Sequence, residues 1–184
     1  MKVLFLTAAT ILAVCAVPIL ATTRVPAAQT PTASASGTPL GPVDTYFVTQ
    51  TSLGTPFQVD SGRLAETKGM TQAIRGYAEL MVGSHITVNN ALLGILKNKS
   101  SVPPPTLLKA AYATMVSTLQ HETGQTLDAD YVRGQVNYQR ANTALYQYEI
   151  ANGIDPDLKA FAQETLPKIQ DHLARALKLQ GGEE

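Results

Sequence analysis

The chain has 184 residues, 14 basic and 14 acidic side chains, one cysteine, no tryptophan and 45% hydrophobic residues, enough for one ordinary domain. The balanced charge excludes the clustered Lys/Arg footprint that a nucleic-acid binder needs to displace counterions from phosphates. A charged fraction of only 15% excludes a disordered, solvating chain.

Lys2 is followed by an uncharged, mostly apolar run from Val3 to Ala21, and the next charge is Arg24. This pattern predicts a signal peptide over residues 1–21, cleaved somewhere in 16–28, and hence a periplasmic or secreted protein. Val14-Cys15-Ala16 and Val25-Pro26-Ala27 are both cleavage candidates. Two other readings fit the same run. At about 20 residues it is long enough to be retained as a membrane anchor, although Pro18 and the alanine-rich cleavage candidates oppose that. Leu12-Ala13-Val14-Cys15 also looks like a lipobox, which would anchor the protein through a lipid on Cys15. Cys15 is the only cysteine, so no disulfide is available and the domain must be held by its core. Residues 22–42 carry prolines at 26, 31, 39 and 42 among Ala, Thr, Ser and Gly, the composition of a disordered linker.

From residue 43 to 179 the pattern is helical, with a flexible tail expected over 180–184. The first segment, Asp44 to Lys68, reads as a helix interrupted at Gly54-Thr55-Pro56, because proline removes a helical hydrogen bond. The next opens at Thr71, a helix-capping residue. Ile74, Tyr77, Ala78, Met81, His85, Val88, Leu92 and Ile95 then recur at three- and four-residue steps, one stripe along a helix ending near Asn98. Pro103, Pro104 and Pro105 break the chain before a helix from Thr106 to about His121, closed by Gly124. A long segment opening at Thr126 or Asp128 runs to Asn152-Gly153, with Val132, Val136, Gln139, Thr143, Tyr146 and Ile150 on one stripe. The last helix starts at Asp155-Pro156, a cap followed by proline in the first turn. It sets Leu158, Phe161, Ala162, Thr165, Ile169, His172, Leu173 and Ala176 on one side, with Pro167 expected to kink it. No segment alternates with period two, so the expectation is an all-α fold of amphipathic helices packed as an antiparallel bundle.

Several local patterns carry a family resemblance: Met81-Val82-Gly83-Ser84-His85, Asp130-Tyr131-Val132, Asp157-Leu158-Lys159-Ala160-Phe161-Ala162, and Leu166-Pro167 followed by Asp171-His172-Leu173. The chain resembles, over most of Phe47 to Leu177, the bacterial exported family catalogued as domain of unknown function 4142. The resemblance implies export and a ferritin-like antiparallel four-helix bundle, here with an extra short or broken N-terminal helix. It implies no established reaction.

His85 and His172 lie on apolar stripes and match histidines that recur in the family. In ferritin-like metal proteins each such histidine is preceded three residues earlier by a Glu. Here those positions are Val82 and Ile169. Gln139 stands where the family tends to place a third histidine, and Gln58 where it often has Glu, which leaves Asp60 as the nearest carboxylate. His85, His172 and Asp60 are therefore the metal candidates, a thin set for a transition metal that wants three or four fixed ligands. The competing expectation is a buried hydrogen-bonded polar layer of His85, Gln139 and His172 with no cofactor. Glu149 reads as a surface or paired position, with a core-facing one as the alternative. The tyrosines at 131, 138, 146 and 148 read as core with hydroxyls at the rim, the alternative being a recognition surface. No nucleophile elbow or phosphate loop is present, so no catalytic residue is assigned. The expected protein is a cell-envelope binding or structural element with an envelope protein as partner, and its rival a periplasmic metal protein or oxidase using His85 and His172.

Overall fold

A computed structural model describes residues 39–99 and 110–182. The expected signal peptide, residues 22–38 of the expected linker, the Pro103–Pro105 break and the expected start of the following helix lie outside the described residues. Those described form five helices: α1 (Pro42–Lys68), α2 (Gln72–Leu96), α3 (Ala110–His121), α4 (Gly124–Asn152) and α5 (Pro156–Gly181). Among the described residues no helix is long and apolar enough to cross a membrane.

Local chemistry sets the boundaries. Thr71 caps α2 by accepting from the Ile74 N–H at 3.1 Å. Asp155 caps α5 by accepting from Asp157 and Leu158, and Pro156 fills the first helical position. The turn between α3 and α4 passes through Gly124 at φ +63°, the left-handed region that glycine enters without penalty. Lys68, in the last turn of α1, reaches across to α3 and donates to the carbonyls of Leu119, Gln120 and Glu122 at 3.3, 2.8 and 2.9 Å. Leu119 and Gln120 lie in the last turn of α3 and Glu122 just beyond it, where helical carbonyls run out of intrahelical donors and a cation is favoured.

Two expectations are corrected. The first helix is neither short nor broken at Gly54-Thr55-Pro56. Instead α1 runs unbroken for 27 residues through Pro56 and starts at Pro42, inside the expected linker. Proline costs roughly 3 kcal/mol inside a helix. That cost is outweighed because Phe47, Val48, Phe57 and Ala65 must all be buried from one face of α1, at about 1.5–3 kcal/mol for each large side chain. The short helix is α3, and the expected tail is still helical at Gln180 and Gly181. Helix α5 likewise continues through Pro167.

The helices pair most extensively as α1 on α2 and α4 on α5, with α1 also against α4 and α2 against α5. Thr55 of α1 meets Asn89 of α2, while the Gly62 position abuts Val82, so that pair is antiparallel. Helix α3 lies against α1 and α4. One part of the core gathers Tyr77, Met81, Leu127, Tyr131 and Val136, and another gathers Phe47, Leu92, Tyr146, Leu158 and Phe161. Between α1 and α4 the backbone at Gly54 comes so close to Tyr138 that a β-carbon would overlap the phenol hydroxyl. Gly83, on the outer face of α2, has no such neighbour within 4 Å. In urea unfolding, Gly54→Ala should therefore destabilise by about 1–3 kcal/mol through overpacking. Gly83→Ala should stabilise by up to about 1 kcal/mol through helix propensity alone.

Candidate functional site

The apolar stripes carry both core-facing histidines inward. His85, on α2 between Met81 and Leu92, is 5% exposed, and so is His172, on α5 between Ile169 and Ala176. Their rings face each other across the helix pair with centres 5.9 Å apart and planes at 44°. Gln139 reaches in from α4, fully buried, with Nε2 3.5 Å from His85 Nε2 and 3.4 Å from the sulfur of Met81. Tyr138 sets its ring edge-on to His85 at 5.7 Å. The Tyr77 hydroxyl donates to the His172 carbonyl at 3.2 Å.

The polar set is wider than the three residues expected. Gln58 on α1 and Gln135 on α4 are both fully buried, and neither amide has a hydrogen-bond partner. Phe57 packs on Tyr138 and against the Gly134 position, so the two amides sit at neighbouring levels of the α1–α4 contact. Gln139 Oε1 and His172 Nδ1 are likewise buried without a partner.

Burial governs the ionisation here, because an imidazolium in a dry interior loses its hydration. It pulls His85 down to about 3, with His172 adding to the fall. It pulls His172 down to about 4, helped by Arg175 and Lys168 and opposed by Asp171. Both rings are neutral, with a lone pair available, at any ordinary pH.

Asp60, the expected carboxylate, is exposed on the outer side of α1 and is not brought to the histidines. Among the described residues no group of three or more His, Cys, Asp or Glu side chains converges as a metal site. The ferritin-like carboxylate set does not fit these residues, since Val82 and Ile169 occupy the places of the two acids.

A second buried cluster at one end of the helices went unread in the sequence. Asp44, fully buried in the first turn of α1, accepts the Gly41 N–H on Oδ2 at 3.0 Å, and the Ile154 and Asp155 N–H groups on Oδ1 at 3.0 and 3.1 Å. Glu149 faces it from the last turn of α4, fully buried and with no donor on either oxygen. The expected surface or paired position for Glu149 is thus corrected to a core-facing one. Burial pushes its carboxyl up to about 7, and the Asp44 carboxyl beside it, with Asp155 beyond, adds to the rise while Lys159 opposes it. Lys99 closes the outer side through Asp155 and Asp157 at 2.8 and 2.6 Å. Of the four tyrosines of α4, those at 131, 138 and 146 are core and Tyr148 is half exposed. The Tyr131 and Tyr146 hydroxyls are buried and lack partners, so they do not lie at the rim.

The profile of the domain of unknown function DUF4142 matches residues 29–179, most of the chain. The protein belongs to the DUF4142 family. No curated protein matches this DUF4142 chain. Among solved structures it is similar to the crystal structure of a DUF305 fragment from Deinococcus radiodurans, with a TM-score of 0.69 and 12% sequence identity. That match covers 78% of this chain and 99% of the fragment. At such low identity the similarity speaks to the helical fold alone.

Proposed function

We propose that the protein is an exported cell-envelope element that acts by binding or as a structural part, not as an enzyme, on a ferritin-like antiparallel four-helix bundle. The observation that carries this reading is the composition of the interior polar layer. Val82 and Ile169 stand where a ferritin-like oxidase would hold its two acids, and the polar side chains around them are the amides of Gln58 and Gln139 and the neutral imidazoles of His85 and His172. The Gln139 amide of α4 meets Met81 and His85 of α2, a polar contact between helices of the kind that fixes register, a well-attested use of buried polar groups. Amides and neutral rings supply no charge for hard divalent or trivalent ions. The Pro-, Ala-, Thr- and Ser-rich composition of residues 22–38 would let such a domain stand off from a membrane or reach an envelope protein partner. Metal analysis of protein purified from the export compartment tests the reading. Iron, manganese and zinc are expected well below one equivalent, and one equivalent of any of these three, lost on His85→Ala, would overturn it.

One observation favours a second reading, an envelope metal protein. The two histidine rings are 5.9 Å apart and His172 Nδ1 has no partner. That reading predicts a metal-dependent rise in melting temperature, as any ligand of the native state gives. A panel of divalent ions without a shift would remove its hard-metal form.

A further inference from the structure

The third side chain at the histidine pair is not an acid but a thioether. Met81 lies one helical turn before His85 on α2, fully buried, and its sulfur is 3.4 Å from the Gln139 amide nitrogen. The same nitrogen is 3.5 Å from His85 Nε2. The partially positive amide group therefore sits where a sulfur lone pair and an imidazole nitrogen converge. Two imidazoles on one metal have ring centres about 5–6 Å apart, given metal–nitrogen bonds near 2 Å. The 5.9 Å spacing of His85 and His172 fits that geometry, and His172 Nδ1, nine-tenths buried and without a partner, is free to take the lone pair in the Nε2–H tautomer. We propose that Met81, His85 and His172 form a site for a single soft monovalent cation, copper(I), which displaces the Gln139 amide.

The chemistry of the donor set selects the ion. All three donors are neutral, so nothing in the site offsets the charge of a divalent or trivalent ion drawn into a dry core. A monovalent ion carries the least such cost, and thioether sulfur with imidazole favours copper(I) over iron, manganese or magnesium, which prefer oxygen. Gln139 swings aside without leaving a new charge behind. The proposal rests on the histidine pair of the second reading above and changes both its third ligand and its class of metal. Failure of the divalent panel leaves it standing, and failure with copper(I) leaves the non-enzymatic reading standing.

The test is an anaerobic titration of copper(I) into the full chain against a chromophoric copper(I) chelator, in a Cys15→Ser background so that the thiol takes no part. One equivalent is expected, with X-ray absorption showing one sulfur and two nitrogen neighbours. Met81→Leu keeps the apolar volume and fold, and His172→Gln keeps a polar side chain. Each should weaken copper(I) binding by about 100-fold or more, since even the outer-shell partners of a metal ligand are worth about 10–100-fold, with unchanged circular dichroism. Met115→Leu, away from the histidines on α3, should leave binding unaltered. No binding by the full chain, or binding that survives Met81→Leu and His172→Gln in folded protein, would overturn the site.

Discussion

Asp44→Ala is expected to lower stability by about 3–5 kcal/mol, since it strips the acceptor from three backbone N–H groups, among them that of the buried Asp155. The carboxylate joins the first turn of α1 to the α4–α5 turn, 110 residues away in sequence. Its loss also removes the reciprocal half of an N-terminal cap. A small return comes from Glu149, which no longer faces a second carboxyl. Asp44→Asn keeps one carbonyl oxygen for the Ile154 and Asp155 donors and should cost only about 1 kcal/mol. Urea unfolding at pH 6 separates the two. Equal losses, or an alanine loss below about 1 kcal/mol, would mean that the junction is held by packing and not by this carboxylate.

The second large effect is on the pH profile of the metal-free protein, where two buried histidines and one buried carboxyl act in opposite directions. The folded values of His85 and His172, about 3 and about 4, lie below the ordinary 6.5 of an unfolded histidine. The unfolded chain therefore takes up protons first as the medium is acidified. Their contribution is complete above pH 6.5 and drains away below it, amounting to on the order of 3–6 kcal/mol by pH 4. Glu149 behaves in the opposite sense. Its folded value of about 7 lies above the ordinary 4.5, so its contribution is complete below 4.5 and is lost as pH rises through 7. That loss is on the order of 1–2 kcal/mol once screening by water at the end of the helices is allowed for. Between pH 7 and 4.5 the Glu149 gain partly hides the histidine loss, and only below 4.5 does the fall steepen. Glu149→Gln should therefore be more stable than the native chain above pH 7 and fall more steeply on acidification. His85→Gln with His172→Gln should flatten the acid limb. Urea midpoints from pH 4 to 8 check this, and an acid limb unchanged in the double variant would remove the imidazoles as its source.

Much of the fold could be read from the residues because its signals are local. Thr71, Asp155-Pro156 and Asn152-Gly153 mark helix ends within a few residues of themselves, and the three-and-four spacing of Tyr77, Met81 and His85 is enough to send His85 inward. The same spacing placed His172 and Gln139 correctly in the interior. Non-local competition misled the reading at Pro56. The local cost of proline was visible, whereas the burial of Phe57 against Tyr112 and Tyr138 that outweighs it belongs to other helices. Asp60 failed for a geometric reason: two residues beyond the buried Gln58 is about 200° around the helix, and that turns the side chain out to solvent. Asp44 with Glu149, and Met81 with Gln139, are pairs 105 and 58 residues apart that no periodicity connects. The acid at the third helical position of α1 was a cue to capping, and nothing in the chain pointed to its second partner.

The hold of Lys68 on α3 bears on how the molecule breathes. Among the described residues α3 buries only Val116 and Leu119, and the ammonium of Lys68 ties down its last carbonyls from another helix. A short helix with so little buried surface opens as its own cooperative unit, well below the free energy of global unfolding. Amide protons of α3 should therefore exchange with solvent ahead of those of α1, α2, α4 and α5. Lys68→Met would speed that exchange while barely moving the main unfolding transition. On that expectation, one cation at the end of α1 holds down a helix that covers Phe57 and Tyr138 through Tyr112.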